Sequence, residues 1–296
     1  MAAAILPQII NQNSAIRNPL KILELIQRTT EFFQRQGVES PRLTIELMVA
    51  HVLKRKRLEL YLDFEREIAE SALDALRQMV KRRAAGEPLQ YVLGIANFYG
   101  LDLAVDKRVL VPRPETELLV DYVVKNGGAA KTLADLGTGS GAIAIALARK
   151  LATARVLAVD ASAEALEVAR MNGSAHGAQI EFLHGDLLAP LPDGLQCDWI
   201  VSNPPYIPSG EITALAREIR DHEPRAALDG GADGLDVVRR IATEAKARLA
   251  AGGRVAVEIG AGQGSAAERI FLDNGYRVEK MISDWQGHPR VVVAAG

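Results

Sequence analysis

From residue 131 onward, short apolar segments alternate with segments of helical spacing, and this alternation constrains the fold of the 296-residue chain most strongly. Strands are predicted at 133–136, 156–159, 180–184, 198–202, 254–259, 276–282 and 291–295, the last two as an antiparallel pair. Strands that alternate with helices predict a parallel sheet with helices on both faces. The sequence therefore predicts an α/β domain over residues 111–296, with a mostly parallel sheet of seven strands.

The segments before residue 111 follow other patterns. Apolar residues recur at helical spacing in three segments of residues 1–85, which carry no catalytic constellation, so we expect a small all-α domain that binds a partner. Residues 1–18 are expected to be irregular. Residues 86–110 alternate in polarity around Gly100, which predicts a β-hairpin that links the two domains.

Composition is that of an ordinary globular protein, with 48% apolar and 24% charged residues. The net charge of −2 argues against binding to nucleic acid by charge alone. The single cysteine, Cys197, excludes an internal disulfide framework and favours a reducing compartment, the cytoplasm. We expect no metal site, since the histidines lack ligand spacing, and no membrane segment, since no apolar run reaches about 18 residues. The first ten residues lack the basic region of a signal peptide.

A glycine-rich turn, Gly137-Thr138-Gly139-Ser140-Gly141, joins the first predicted strand of the sheet to a helix. Its glycines permit a tight turn and close approach of a ligand to the backbone. Asp160 ends the second strand, where a carboxylate can accept hydrogen bonds from ribose hydroxyls, and Asp186 ends the third, where it could accept from an adenine amino group. These strand ends predict a nucleoside site. The turn also fits the loose dinucleotide pattern, so a nicotinamide-dependent enzyme stays an alternative.

The strand at 198–202 stops at Asn203-Pro204-Pro205-Tyr206. Two prolines donate no backbone hydrogen bonds, so the segment predicts a stiff loop at the carboxyl end of a strand, where open α/β sheets bind ligands. The Asn203 amide oxygen and the Pro204 carbonyl are acceptors, and Tyr206 adds an aromatic face. This set suits a planar, uncharged N–H₂ group. A plain Asn-Pro turn is the alternative.

Arg113 lies between two prolines, just before a helix that is predicted to begin at Glu115 or Thr116. A guanidinium held there either covers an anionic group or forms a structural salt bridge. The residues alone leave both interpretations open.

Taken in order, the glycine turn, the two acidic strand ends and the Asn-Pro-Pro-Tyr segment resemble class I S-adenosylmethionine-dependent methyltransferases that methylate nitrogen. Segments 91–94, 109–120, 222–236 and 284–292, with the helical front, more narrowly resemble the release factor glutamine methyltransferase family (PrmC/HemK). The resemblance implies a Rossmann-like methyltransferase fold and S-adenosyl-L-methionine as cofactor. It implies methyl transfer to the side-chain amide nitrogen (N5) of the glutamine in the Gly-Gly-Gln loop of peptide chain release factors.

The resemblance also implies roles for residues that match the family's motifs. Gly137, Thr138, Gly139, Ser140 and Gly141 would hold the methionine part of the cofactor, Asp160 the ribose, and Asp186 with Leu187 the adenine. Asn203, Pro204, Pro205 and Tyr206 would hold the glutamine, with Asn203 also beside the cofactor. The family often has an aromatic residue where this chain has Leu187, so ring stacking is lost there. A nucleic-acid adenine N6-methyltransferase and a non-catalytic nucleoside-binding protein stay as alternatives, although no direct nucleic-acid contact is expected.

Overall fold

The computed structural model describes residues 20–296, so the irregular segment expected at residues 1–18 lies outside the described part. The chain divides into two compact units, with the boundary between Gly94 and Ile95. The domain limits expected at residues 85 and 110 stay a prediction. Within residues 20–296, no helix combines the length and the apolar character needed to cross a bilayer.

Helices build the described part of the first unit. They are α1 (Ile22–Arg35), α2 (Pro41–Leu53), α3 (Glu70–Ala84) and α4 (Leu89–Leu93), with a 3-10 turn at Arg57–Leu62. Their apolar faces share one core, in which Phe33, Met48 and Leu76 are fully buried. Apolar residues at helical spacing form one stripe on each helix, and packing the stripes together removes them from water.

The second unit begins with an antiparallel hairpin of β1 (Ile95–Phe98) and β2 (Leu101–Ala104). Its turn lies at Tyr99 and Gly100, which have φ values of 51° and 74°. The predicted hairpin is present but shorter than expected, because residues 89–93 wind into α4 directly after Pro88. A proline suits this place because its fixed φ and missing N–H cost nothing at the start of a helix.

The predicted seven-stranded sheet is confirmed, with strand order β5-β4-β3-β6-β7-β9-β8. The strands are β3 (Thr132–Leu136), β4 (Arg155–Asp160), β5 (Ile180–His184), β6 (Cys197–Ser202), β7 (Leu249–Glu258), β8 (Arg277–Ser283) and β9 (Pro289–Ala295). Parallel pairing joins β3 to β4 and β6, β4 to β5, and β6 to β7. The antiparallel strand β9 lies between β7 and β8, as the predicted closing pair requires.

Helices cover both faces of this sheet, as predicted. They are α5 (Thr116–Asn126), α6 (Ala142–Lys150), α7 (Ala163–Ala175), α9 (Asp236–Ala245) and α10 (Gly264–Asp273). The short helix α8 (Arg217–His222), in the segment between β6 and α9, buries none of its residues. One core joins strand residues such as Leu136 to Val238 and Phe271, and a second core on the other face joins Leu133 to Leu119. Leu133 and Leu136 serve opposite faces because successive side chains of a strand alternate.

Helix α7 continues past the turn-favouring pair Asn172-Gly173 and ends at Ala175. A Cβ on Gly173 would lie 3.1 Å from the ring of Phe182, so a small residue is needed for close packing on β5. Asn172 also makes an internal contact, since its Nδ2 donates a hydrogen bond to the Ser140 carbonyl oxygen at 2.9 Å. Asn172 and Gly173 therefore contribute to the packing of α7 against its neighbours and do not end the helix.

The strand order reverses beside β3, with β4 and β5 on one side and β6 and β7 on the other. Open α/β sheets bind ligands in the crevice outside the carboxyl ends of the strands at such a switch point. Gly137, Asp160 and Asn203 each lie at or directly after the carboxyl end of β3, β4 and β6, respectively. The fold thus brings them to one edge of the sheet.

Candidate active site

The glycine turn between β3 and α6 forms the first wall of the crevice. Gly137, Gly139 and Gly141 have φ values of 69°, 55° and 82°, a region that glycine adopts without a steric penalty. A Cβ on Gly137 or Gly139 would meet no atom of the described residues within 4 Å, so this backbone borders open space. A Cβ on Gly141 would lie 3.1 Å from Ile145 Cδ1 and 3.3 Å from Ala169 Cβ, so the third glycine serves close packing of α6.

Asp160 at the end of β4 contacts the glycine turn directly. Its Oδ2 accepts from the Gly139 N–H at 2.8 Å, and its Oδ1 accepts from the Ser162 N–H at 2.8 Å. A carboxylate offers about four acceptor positions, so these two bonds leave capacity for ligand hydroxyls. The structure thus joins two of the predicted site elements into one surface.

Sequence reasoning missed Asp135, which lies beneath the turn and is only 1% exposed. Its Oδ2 accepts from Thr138 Oγ1 at 2.6 Å and from the Ala144 N–H at 3.2 Å. Its Oδ1 has no hydrogen-bond partner among the residues that the structure describes. Burial raises the pKa of Asp135 to about 7. An acidic residue inside an otherwise apolar strand, directly before a glycine turn, was the signal that could have identified it.

Asp186, expected to face an adenine amino group, is paired with Arg240 of α9. Arg240 Nη2 donates to Asp186 Oδ2 at 2.8 Å, and Nη1 donates to Oδ1 at 3.2 Å. The neighbouring Leu187 is buried, with a left-handed φ of 47° that costs a residue with a Cβ some strain. Sequence reasoning missed the arginine, which lies 54 residues away in the chain.

Asn203 is held by the first residue of α5. Its Nδ2 donates to Thr116 Oγ1 at 3.1 Å. Because the two ends of a planar amide point in opposite directions, this bond turns Oδ1 away from Thr116. The acceptor role of Asn203 stays a prediction with which this orientation is compatible, and Thr116 is a contributor that sequence reasoning placed only as a helix start.

The rest of the loop is supported by the segments that follow α8 and β7. The Gly230 N–H donates to the Ile207 carbonyl oxygen at 2.9 Å. A Cβ on Gly230 would lie 2.6 Å from the Pro205 carbonyl oxygen, so only glycine fits there. Gln263 Nε2 donates to the Tyr206 carbonyl oxygen at 2.9 Å. These contacts hold the loop in one conformation.

A buried carboxyl, Glu258, ends β7 beside this loop and is 1% exposed. Neither of its oxygens makes a hydrogen bond of ordinary geometry within residues 20–296. Burial raises the pKa of Glu258 to about 7, while the nearby hydroxyls of Thr116 and Tyr206 act in the opposite direction. Burial also raises the pKa of the Tyr206 hydroxyl, which stays protonated at neutral pH.

Arg113 forms an ion pair with Glu223, at 2.7 Å to Oε1 and 2.9 Å to Oε2. The Glu223 side chain is 1% exposed. Burial raises the pKa of Glu223, and the charge of Arg113 opposes that shift. Of the two interpretations left open for Arg113, the structure shows the salt bridge, which joins the segment before α5 to the segment after α8.

Cys197 is buried at the start of β6, as expected for a small apolar residue. Burial raises the pKa of its thiol to about 11, so the nucleophilic thiolate is scarce at neutral pH. Within residues 20–296, His, Cys, Asp and Glu side chains form no group of three or more that could hold a metal ion.

Two family models match the chain, the PrmC N-terminal domain over residues 24–94 and the methyltransferase small domain over residues 114–231. The release factor glutamine methyltransferase of Geobacter sulfurreducens is 41% identical, over 92% of this chain and 95% of that protein. The protein of the same name from Moorella thermoacetica is 43% identical, over 87% of this chain and 92% of that protein.

Among solved structures, a methyltransferase from Pyrococcus furiosus has a similar fold, with a TM-score of 0.51 and 20% identity over 67% of this chain and 89% of that chain. That likeness supports a Rossmann-like methyltransferase fold. The two sequence relatives are much closer, and they extend over both units of the chain. The chain therefore belongs to the release factor glutamine methyltransferase family.

Proposed function

We propose that this chain transfers a methyl group from S-adenosyl-L-methionine to the side-chain amide nitrogen, N5, of the glutamine in the Gly-Gly-Gln loop of peptide chain release factors. As a member of its family, the chain is a methyltransferase that acts on release factor glutamine and uses S-adenosyl-L-methionine. The orientation of the Asn203 amide carries the finer proposal. Its Nδ2 is bonded to Thr116, so it offers an acceptor, which is what an uncharged N–H₂ group requires.

The residues at the crevice fit the cofactor. When bound, S-adenosyl-L-methionine supplies a methyl group on a positively charged sulfur. The bare backbone at Gly137 and Gly139 leaves room for the methionine part, and Asp160 has acceptor capacity for the ribose hydroxyls. We assign the adenine to Asp186 and Leu187, an assignment that rests on the resemblance of the motifs.

Asn203 Oδ1 and the Pro204 carbonyl oxygen would each accept one hydrogen of the glutamine amide, while the Tyr206 ring packs against its plane. An amide nitrogen is a weak nucleophile because its lone pair is delocalised into the carbonyl. Fixing both hydrogens favours a pyramidal nitrogen whose lone pair is directed into the crevice. Catalysis is then mostly positioning, with electrostatic stabilisation of the positive charge that develops on nitrogen.

The N–CH₃ bond would form as the S–CH₃ bond breaks, with a neutral thioether as the leaving group. The nitrogen then loses one hydrogen to water as a proton, so no base has to act before the transfer. Tyr206 is unsuited to be that base, since burial raises the pKa of its hydroxyl. The acceptors that bind the N–H₂ group also stabilise the positively charged intermediate until the proton leaves.

A release factor presents its glutamine on a protein loop, which needs a binding surface beyond the reacting amide. A cavity of about 380 Å³ beside α5 is lined by Glu115, Trp285 and Arg290, among other residues. Glu115 directly precedes the residue that binds Asn203. We propose that the chain segments flanking the glutamine bind in this cavity, and that the reaction takes place in the cytoplasm.

The test is methyl transfer from labelled S-adenosyl-L-methionine, with a release factor, its Gly-Gly-Gln glutamine→alanine variant, duplex DNA and RNA offered in parallel. We expect label on the intact release factor alone. Label on DNA or RNA would overturn the substrate and favour an adenine methyltransferase. Cofactor binding without any transfer would favour a non-catalytic protein.

A further inference from the structure

Glu258 is a carboxyl for which the mechanism above has no role. It is 1% exposed, and neither oxygen makes a hydrogen bond of ordinary geometry to a residue in the described range. An uncompensated buried carboxyl destabilises a fold, because removing it from water is costly in either ionisation state. Its place at the end of β7 points to a role in the site.

The strand register places Glu258 next to Asn203. In the parallel pair of β6 and β7, Ser202 is opposite Val257, so the residues that follow them are neighbours at the carboxyl edge of the sheet. In the antiparallel pair of β7 and β9, Glu258 is opposite Val291.

The polar groups facing Glu258 come from three neighbouring parts of the fold. Thr116 and Glu115 approach from the start of α5, Tyr206 from the loop after β6, and Arg290 from β9. Burial raises the pKa of Glu258 to about 7; Thr116, Arg290 and Tyr206 lower it, whereas Glu115 raises it. Both ionisation states are therefore populated near neutral pH.

We propose that Thr116 and Glu258 are positioning residues that set the orientation of the Asn203 side-chain amide, an inference that rests on the proposed function. The Thr116 hydroxyl has a single hydrogen and accepts the 3.1 Å bond from Asn203 Nδ2. Its own hydrogen then needs an acceptor, and the Glu258 carboxylate, which lies near Thr116 and has no hydrogen-bond partner of ordinary geometry within residues 20–296, would accept it once the two side chains close to hydrogen-bonding distance. In this arrangement Asn203 Nδ2 donates to the Thr116 hydroxyl, and the Thr116 hydroxyl donates to the Glu258 carboxylate. Asn203 Oδ1 then faces the crevice.

Protonation of Glu258 removes the preference for that order, because a neutral carboxyl can donate to Thr116 as well as accept from it. When it donates, the Thr116 hydroxyl can in turn donate to Asn203 Oδ1 and favour the flipped amide. The flipped amide would present its N–H₂ group to the N–H₂ group of the substrate, and two donors repel each other. The carboxylate form of Glu258 is thus the form that supports methyl transfer.

The direct test is NMR of the side-chain amide of Asn203 in the full chain with labelled asparagine, assigned by its loss in Asn203→Ser. In the wild type we expect the Asn203 signal to titrate with a midpoint near pH 7, the pKa to which burial raises Glu258. In Glu258→Gln the titration should vanish. Thr116→Val should move the signal, and the matched control Thr116→Ser should leave it in place. An Asn203 signal that titrates equally in Glu258→Gln would overturn the proposal.

This measurement needs neither cofactor nor substrate, so its failure is distinguishable from failure of the proposed function. The kinetic counterpart is methyl transfer to a release factor. Glu258→Gln and Thr116→Val should each lower kcat by about 10- to 100-fold, the cost of misplacing a positioned group. The Kd for S-adenosyl-L-methionine should stay within about twofold, because neither residue is assigned a cofactor contact.

The double variant distinguishes positioning from two separate effects. Since Thr116 and Glu258 act on Asn203 as one unit, the variant Thr116→Val/Glu258→Gln should be no slower than the slower single variant. If the kcat losses of the two single variants multiplied in the double variant, the proposed role would be contradicted. An unchanged kcat in Glu258→Gln would contradict it as well.

Discussion

Asn203 Nδ2 donates to Thr116 Oγ1 at 3.1 Å, which joins the loop after β6 to the start of α5 across 87 residues of chain. This bond orients the Asn203 side-chain amide so that Oδ1 is directed away from Thr116. That orientation supports the proposal that Asn203 offers an acceptor to a neutral N–H₂ group.

Asn203→Ala removes the acceptor, so kcat should fall by about 100-fold or more, the usual scale for losing one group that stabilises developing charge. The Kd for S-adenosyl-L-methionine, measured by calorimetry, should change by no more than a few-fold. Asn126→Ala is the control, since the Asn126 side chain is exposed and donates to the Tyr122 carbonyl oxygen of its own helix. Equal losses in kcat and cofactor affinity would count against the assignment.

Asp160→Asn should act on the cofactor instead. Its carboxylate already accepts from the Gly139 and Ser162 N–H groups, and we assign its remaining capacity to the ribose. Loss of a hydrogen bond to a charged group predicts a Kd for S-adenosyl-L-methionine raised roughly 10- to 100-fold. At saturating cofactor, kcat should be nearly that of the wild type. The exposed Asp193→Asn is the matched control, and a Kd equal to that control would contradict the role of Asp160.

Glu258→Gln should change how stability depends on pH. Burial raises the pKa of the native carboxyl to about 7, from an ordinary value of 4.5. Between these values the native state binds more protons than the unfolded state, so its free energy of unfolding falls as pH rises. The stabilisation is fully present below pH 4.5 and is lost as pH passes about 7.

Glutamine does not titrate, so the variant should gain stability relative to the wild type between pH 4.5 and 8. The gain should approach roughly 3 kcal/mol, from 1.36 kcal/mol for each unit of pKa difference. Urea unfolding at both pH values measures it, with the exposed Glu268→Gln as control. If the free energy of unfolding of the variant differed from that of the wild type by the same amount at pH 4.5 and at pH 8, the raised pKa of the Glu258 carboxyl would be contradicted.

Arg113→Gln should destabilise the fold. It would leave the Glu223 carboxylate, which is 1% exposed, without its cationic partner. Breaking a largely buried ion pair from one side predicts a loss of about 2–4 kcal/mol in the free energy of unfolding. The double variant Arg113→Met/Glu223→Gln should recover part of it, since both charges are gone. A loss in the single variant no larger than that of an exposed arginine, such as Arg269→Gln, would refute the structural role.

Most strands were predictable because they are short apolar runs closed by glycine, proline or an acidic residue. The start of β7 was not, since the strand begins at Leu249 and continues through Gly252 and Gly253, which the sequence placed before the strand. Ile180–His184 matches its predicted limits, and β6 stops where Asn203-Pro204 requires. The glycine turn and Asp160 could be placed because their roles follow from positions at strand ends.

The partners of the site residues could not be predicted in the same way. Arg240 reaches Asp186 across 54 residues, and the neighbourhood of Thr116 and Glu258 exists only once the sheet has brought their elements together. Spacing along a chain reveals contacts within one element, whereas these contacts join separate elements. The role of Gly173 could not be predicted for the same reason, because Gly173 packs against the ring of Phe182 in a different element, β5.

The measurement that tests the central claim most directly is mass spectrometry of a release factor after reaction with this chain and S-adenosyl-L-methionine. We predict one added CH₂ on the peptide that contains the Gly-Gly-Gln motif, with fragment ions that place it on the glutamine side chain. With Asn203→Ala in place of the wild type, the modified fraction should collapse at equal enzyme concentration. Methylation at another residue, or an unmodified peptide under conditions where the chain binds its cofactor, would contradict the account.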